Sequence, residues 1–264
     1  MSEAPKLDTR HAHSARIYNY WLGGKDNFAA DREAAEQAIA ANPGIVADAR
    51  ANRLFLARAV RYLAADRGIR QFLDIGAGLP TARNTHEVAQ DAAADARIVY
   101  VDNDPMVLSH ARALLSSTPE GRTAYVESDL RDTATIVAQA AATLDFAAPV
   151  ALMLLIILHM IPDEDDPYGI VTALLDRLPS GSYLVLAHPA SDVRAADQAE
   201  MTRRVNERMR GPRATMRDRA AVSRFFTGLE LVEPGVVQPQ QWRPEPGVVA
   251  PDQVTAWCGV ARKP

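Results

Sequence analysis

The 264-residue sequence predicts an α/β fold, with an N-terminal helical extension followed by five parallel strands and a C-terminal antiparallel hairpin. Three observations carry this. Short apolar runs alternate with helix-length patterns from about residue 71 onward. Two helix starts are marked by an acid followed by proline, Asp104-Pro105 and Asp166-Pro167. Two late β-rich runs, Leu229 to Val237 and Val254 to Ala261, have no helix-length pattern between them, so they are expected to pair antiparallel.

In chain order, residues 1–70 form the helical extension, part of the same domain as the core. Helices are expected over Ala29 to Ala41, stopped by Asn42-Pro43, and over Ile45 to Ala65, where Val46, Ala49, Leu56, Val60 and Leu63 recur at helical spacing and Gly68 follows. Residues 71–264 form the core. The first strand is Gln71 to Ile75, followed by the turn Gly76-Ala77-Gly78-Leu79-Pro80 and a helix with Thr81 as its N-cap. The second is Arg97 to Val101, followed by a helix from Pro105 through Leu115. Thr123 to Glu127, Val150 to Ile157 and Ser182 to Ala187 are the third, fourth and fifth, with a helix from Pro167 to about Leu178 after the fourth. Residues 191–224 read as a helical insertion, and Gln238 to Pro251, with four prolines, as irregular.

Composition narrows the class. Apolar residues at 48% and charged residues at 23% are ordinary globular proportions. Cys258 is the single cysteine, and Met1 to His13 contains no apolar stretch that would serve as a signal peptide, so a cytoplasmic location is expected. The longest apolar run, Pro149 to Ile161, falls short of the roughly 20 residues a bilayer requires. No membrane partner is therefore expected. The formal charge of −4 provides no general field for nucleic acid. Eight arginines between Met201 and Arg224 face only Glu207 and Asp218, a local +6 read as a solvated helix face.

Polar groups gather at successive strand ends. Asp74 ends the first strand just before Gly76-Ala77-Gly78, where backbone free of side chains can lie against a nucleoside cofactor. Asp102 and Asn103 close the second strand, where an acid can accept hydrogen bonds from both ribose hydroxyls. Ser128-Asp129-Leu130 closes the third, within reach of an adenine amino group. Pro80 stands where a dinucleotide-binding turn has its third glycine and offers no N–H, which argues against a nicotinamide-dependent oxidoreductase.

These segments resemble the class I S-adenosylmethionine-dependent methyltransferases, which have a Rossmann-like sheet. Phe72-Leu73-Asp74-Ile75-Gly76-Ala77-Gly78 is similar to their first motif, Tyr100-Val101-Asp102-Asn103-Asp104-Pro105 to their second, and Val126-Glu127-Ser128-Asp129-Leu130 to their adenine-contacting third. Leu158-His159-Met160-Ile161-Pro162-Asp163 resembles the segment after their fourth strand. Ala15 to Phe28, ending in Gly23-Gly24-Lys25-Asp26-Asn27-Phe28, resembles the opening of a bacterial S-adenosyl methyltransferase family with no assigned substrate, a likeness that extends nearly end to end. The resemblance implies S-adenosyl-L-methionine as cofactor and methyl transfer as the activity.

On that footing Gly23, Gly24, Lys25 and Asn27 are expected to form a lid, with Tyr18, Tyr20 and Trp21 offering ring faces to the sulfonium. His159, Lys25 and Tyr18 are the candidate catalytic residues, with His159 a possible proton acceptor. Asp163, Asp165 and Asp166 beside His159 read as helix-capping acids, and no metal is expected. A small-molecule acceptor is expected, and nucleic acid is disfavoured because aromatic and basic residues do not interleave. The alternative is a non-catalytic S-adenosylmethionine-binding regulatory protein.

Overall fold

Side chains alternate across a strand, so a strand that is apolar throughout needs cover on both faces. Strands β1 (Gln71–Ile75) and β4 (Ala151–Leu155) are buried at every residue. They lie in the middle of a seven-stranded sheet of order β3-β2-β1-β4-β5-β7-β6. β2 (Arg97–Asp102), β3 (Arg122–Glu127) and β5 (Tyr183–Pro189) run parallel to them, whereas β7 (Ala256–Arg262) is antiparallel to both β5 and β6 (Glu230–Leu231). This computed structural model describes residues 9–107, 109, 117–207, 213–245, 247 and 251–264. Among these residues, no helix is long and apolar enough to cross a membrane.

The alternation builds two cores. Leu73, Val99, Leu152 and Leu184 face α5 (Thr133–Ala140) and α6 (Pro167–Asp176), together with Phe225 and Phe226. Phe72, Ile98, Met153 and Val185 face α3 (Ile45–Arg61) and α4 (Thr85–Ala92). Trp242 is fully buried in the second core, edge-on to Phe55 and Tyr62.

Several boundaries differ from expectation. α4 begins after Asn84, not Thr81, because Glu87 accepts from the Asn84 N–H at 2.7 Å and Thr81 N–H itself donates to Asn84 Oδ1. β4 ends at Leu155 because Ile156 takes φ 56°, a conformation a β-branched residue adopts only under constraint. β6 is two residues long, and beyond it Val237 makes only an isolated bridge to Cys258. The second helical extension step ends in a π-helical turn, Tyr62–Asp66, before Gly68. The helix opening at Pro105 is described through Val107, and its predicted continuation at 108 and over 110–115 lies outside the described residues, as do Arg208 and Arg210.

Over the carboxyl ends of the strands sits a helical cap. It is built from α1 (Ser14–Trp21), α2 (Ala29–Ala41) and α7 (Ala195–Asn206). Ile17, Ala34 and Ala35 pack with Trp21 and Val205, and Ala38 packs with Ile45 and Met201. Buried Asp31 holds the start of the chain by accepting from His13 N–H, Arg16 Nε–H and Phe28 N–H at 2.8–2.9 Å. Asn42 donates to Gln198 at 2.9 Å and so ties α2 to α7.

Candidate functional site

Between cap and sheet lies a cleft of about 1570 Å3 including its open mouth. Its floor begins at the β1 turn. Gly76 has φ 77°, and a Cβ there would lie 2.6 Å from the Ile157 side chain, so close approach of β1 and β4 requires glycine. Gly78 has φ 65°, and a Cβ there would meet nothing within 4 Å, projecting instead into the cleft that Gly78 lines. Asp102, at the tip of the adjacent β2, accepts from Gly78 N–H at 2.9 Å and from Asp104 N–H at 2.9 Å. Burial raises the Asp102 carboxyl pKa, while these two donors and His13 pull it back. Asp74, fully enclosed and accepting from the Thr85 hydroxyl at 2.6 Å, is pushed up to about 6 by burial.

Of the residues singled out in the sequence, the structure brings Tyr18, Asp74, Gly76, Ala77, Gly78, Asp102, Asn103 and His159 to the cleft wall. Others turn elsewhere. The Asp129 carboxylate is taken by the Arg131 guanidinium at 3.0 Å, which also reaches Asp165 at 2.8 Å. Leu130 is in the core, and Ser128 touches the site only through its N–H to the Asp102 carbonyl. The lid expected at Gly23, Gly24, Lys25 and Asn27 is instead a turn knitted to α1. Gly24 N–H donates to Asn19 O, and the Asn27 amide donates to Asn19 Oδ1 and Gly24 O at 2.9–3.0 Å. A side chain on Gly24 would collide with Asn19, and Lys25 is exposed outside the cleft wall. Residues of α1 and α7 line the cleft on that side instead. Tyr20 points away to Glu36, leaving Tyr18 and Trp21 as the aromatic wall.

Tyr18 offers its ring rather than its hydroxyl. The OH donates to Ala49 O at 3.1 Å and accepts from Asn52 Nδ2 at 3.0 Å, and burial raises its pKa, so it stays protonated.

Sequence reasoning missed Arg217. Far from a solvated face, it is 4% exposed and donates to Leu158 O, Ile161 O, Asp163 and His188 Nε2 at 2.6–3.0 Å. Since a guanidinium only donates, His188 Nε2 must accept, and its Nδ1–H donates to Pro189 O at 2.9 Å. His188 is thereby fixed neutral, and burial pushes its pKa down to about 3. His159 stands edge-on to it, lowered to about 4 by burial and by Arg217. Four other arginines of this stretch are also engaged: Arg203 and Arg204 with Glu200, Arg219 with Val236 O, Arg224 over the Tyr168 ring. Asp166 caps α6, as expected.

These imidazoles set a pH dependence. Unfolded, they take protons near pH 6.5; folded, only near 4 and 3, so the unfolded state binds more protons in between and stability falls on acidification. Asp74 opposes this between about 4 and 6, and the burial-raised carboxyls of Asp48 and Asp102 act with it, while the lowered pKa of buried His86 adds to the histidine side. The urea midpoint is expected to fall steadily from pH 7 to pH 5, and a flat profile would contradict buried neutral histidines.

Five buried polar atoms on the cleft wall lack a partner among the described residues: Asp48 Oδ1, Asn52 Oδ1, Arg53 Nε, Thr81 Oγ1 and His159 Nδ1. Unmet buried groups of this kind are uncommon and point to a ligand. Three lie on one face of α3. The pairing of Asp48 and Asn52 at i, i+4, on the stripe of Ile45, Ala49 and Leu56, is the sequence signal that could have found them.

A family model described as S-adenosyl methyltransferase matches residues 1–264. The chain is similar to the crystal structure of a DUF574 family protein from Streptomyces avermitilis MA-4680, at 46% identity and TM-score 0.94 over 98% of this chain and 100% of that one. It is also similar to a candidate methyltransferase from Thermobifida fusca YX, at 41% identity and TM-score 0.89 over 98% and 97%. Plantazolicin methyltransferase BpumL, solved with S-adenosylhomocysteine, shares the fold alone, at 11% identity and TM-score 0.51 over 95% of each chain. No curated protein matches the chain.

Proposed function

Because the chain belongs to the S-adenosyl methyltransferase family, matched over its whole length, we propose that this S-adenosylmethionine-dependent methyltransferase acts on a small-molecule acceptor held between cap and sheet. The observation that carries the reading is the closure of two strand tips on one another, Gly78 N–H to Asp102 at 2.9 Å, in a cleft lined with unmet polar atoms.

The cofactor fits the donors and acceptors present. Asp102 keeps a free lone pair on each oxygen for ribose hydroxyls, and bare backbone at Gly76-Ala77-Gly78 leaves room for the nucleoside. Arg53 Nε and the Thr81 hydroxyl can donate to a carboxylate, and Asp74 can accept from an ammonium, which suits the methionine end. When bound, S-adenosylmethionine supplies a methyl group on a sulfonium, removed by in-line attack.

The chain's own residues then have limited work. The cap excludes water, and the Tyr18 and Trp21 rings favour a nearby cation by about 0.5–2 kcal/mol. His159, with its pKa down at about 4, is too weak a base to strip a proton at neutral pH. It serves as a hydrogen-bond acceptor through Nδ1 that orients an acceptor's O–H or N–H. Positioning accounts for most of what remains.

The test is a calorimetric titration with S-adenosylhomocysteine, with NADH as comparison. Saturable binding of the first alone is expected, and the reverse preference would overturn the reading. Gly78→Ala places a methyl group at φ 65° into the cleft. It is expected to cost about 1–2 kcal/mol in stability and to weaken S-adenosylhomocysteine binding at least about tenfold, the equivalent of a lost hydrogen bond to a charged group.

A further inference from the structure

Helix α3 crosses the cleft lengthwise. Arg53 lies at the β1 turn, donating to the carbonyls of Ala82 and Arg83 at 2.7–3.1 Å. Asp48 stands five residues earlier, about 7.5 Å along the axis at 1.5 Å per residue, among different neighbours. Its Oδ2 accepts from Arg194 Nη2 at 2.8 Å and from the Thr255 hydroxyl, groups that precede α7 and β7 on the far side of β5. Its Oδ1 makes no hydrogen bond of good geometry among the described residues, although the Asn42 amide and the Thr255 backbone lie close enough to favour its charged form and the side chain is only 7% exposed. The surrounding wall is apolar and adaptable, with Ile45, Met160, Met201, Val205 and Met216.

The Gly76–Gly78 turn, Asp74, Arg53, Thr81 and Asp102 suit the ribose hydroxyls and the carboxylate and ammonium of the cofactor as proposed above. Asp48 is surplus to them, at the opposite end of the same space. We infer that this end is the acceptor subsite and that it takes a small, mainly apolar molecule presenting a neutral hydrogen-bond donor, a hydroxyl or amide N–H, to Asp48 Oδ1. The inference rests on the cofactor placement proposed above. Neutrality follows from Arg194: its guanidinium already balances the Asp48 charge, so an ammonium arriving at Oδ1 would meet a cation beside the anion. A donor is required because a buried carboxylate oxygen without one carries its full desolvation penalty. A wholly apolar acceptor would fill the methionine wall and leave that penalty in place.

The experiment uses protein saturated with S-adenosylhomocysteine and three probes of matched body: phenethyl alcohol, phenethylamine and propylbenzene. Ligand-observed NMR titration at pH 7 is expected to show the alcohol binding at least about fivefold more tightly than either other probe. In Asp48→Ala the alcohol's advantage should shrink to within about twofold, with S-adenosylhomocysteine affinity unchanged. Asp48→Asn, which retains an acceptor oxygen, should keep part of it. The wild-type comparison stands even if a variant folds poorly. Equal binding of the three probes, tightest binding of the amine, or no binding of any to the loaded protein overturns the acceptor inference and leaves the cofactor reading intact. Failure of S-adenosylhomocysteine to bind overturns both.

Discussion

Replacing Asp102 with alanine is expected to weaken S-adenosylhomocysteine binding about 100-fold, the loss of two charge-assisted hydrogen bonds at roughly 1.5 kcal/mol each. The same change leaves Gly78 N–H and Asp104 N–H without their acceptor, so the turn that shapes the nucleoside site loosens as well. Asp102→Asn keeps one acceptor oxygen and should lose about tenfold. The discriminating control is Asp129→Ala. Asp129 closes the next strand, as an adenine contact should, but its carboxylate is paired with Arg131 outside the cleft wall. Its removal is expected to change affinity by less than about threefold. Calorimetry on the three variants decides: equal losses at 102 and 129 would return Asp129 to the site, and an unaffected Asp102→Ala would remove Asp102 from it.

Arg217→Ala should produce the largest loss of stability. Ile161 O and the His188 ring would be left without donors in the interior, Leu158 O would keep only the Ile161 N–H, and Asp163 would lose its ion pair. Leaving these buried acceptors unpaired costs about 1–3 kcal/mol each, about 3–5 kcal/mol together, which for a chain of this length lowers the melting temperature by about 10 °C. The Asp163 side of the network contributes little of this, because Asp163 is 72% exposed. Arg217→Lys keeps the charge without the fork and should recover less than half. A melting temperature for Arg217→Ala within about 2 °C of the parent in differential scanning calorimetry would show that the guanidinium does not hold the β4–β5 wall together.

The parts of the site written in contiguous residues were legible. Asp74 followed by Gly76-Ala77-Gly78 declares a strand, a turn with positive φ and an open backbone, and Asp102-Asn103 declares the next strand tip. Both lie on the cleft. Asn84 and Glu87 also spelled a capping box, a stronger start signal than Thr81. The Gly23–Phe28 loop reads as a lid because two glycines stand beside polar residues, whereas Gly24 packs on Asn19, Gly23 takes a positive φ, and Asn27 ties the turn to α1. The arginine-rich stretch misled for a related reason. Charge counts do not reveal direction: Arg217 is buried against carbonyls, while Arg219 and Arg224 stay exposed on Val236 O and the Tyr168 ring.

From its own order the sequence determined the α/β class, the span of β1, the extent of α2, the glycine turn and the acid at the end of β2. Each is dictated by neighbours within a few residues, through side-chain period, capping or backbone conformation. Only the tertiary structure decided which polar groups share the cleft. Asp48 meets Thr255 across 207 positions and Arg194 across 146, and Arg217 reaches Leu158 across 59. Such pairings depend on the cap folding over the sheet, where burial ranks every unpaired polar atom by cost, and that ranking is a property of the packed interior that no local pattern encodes.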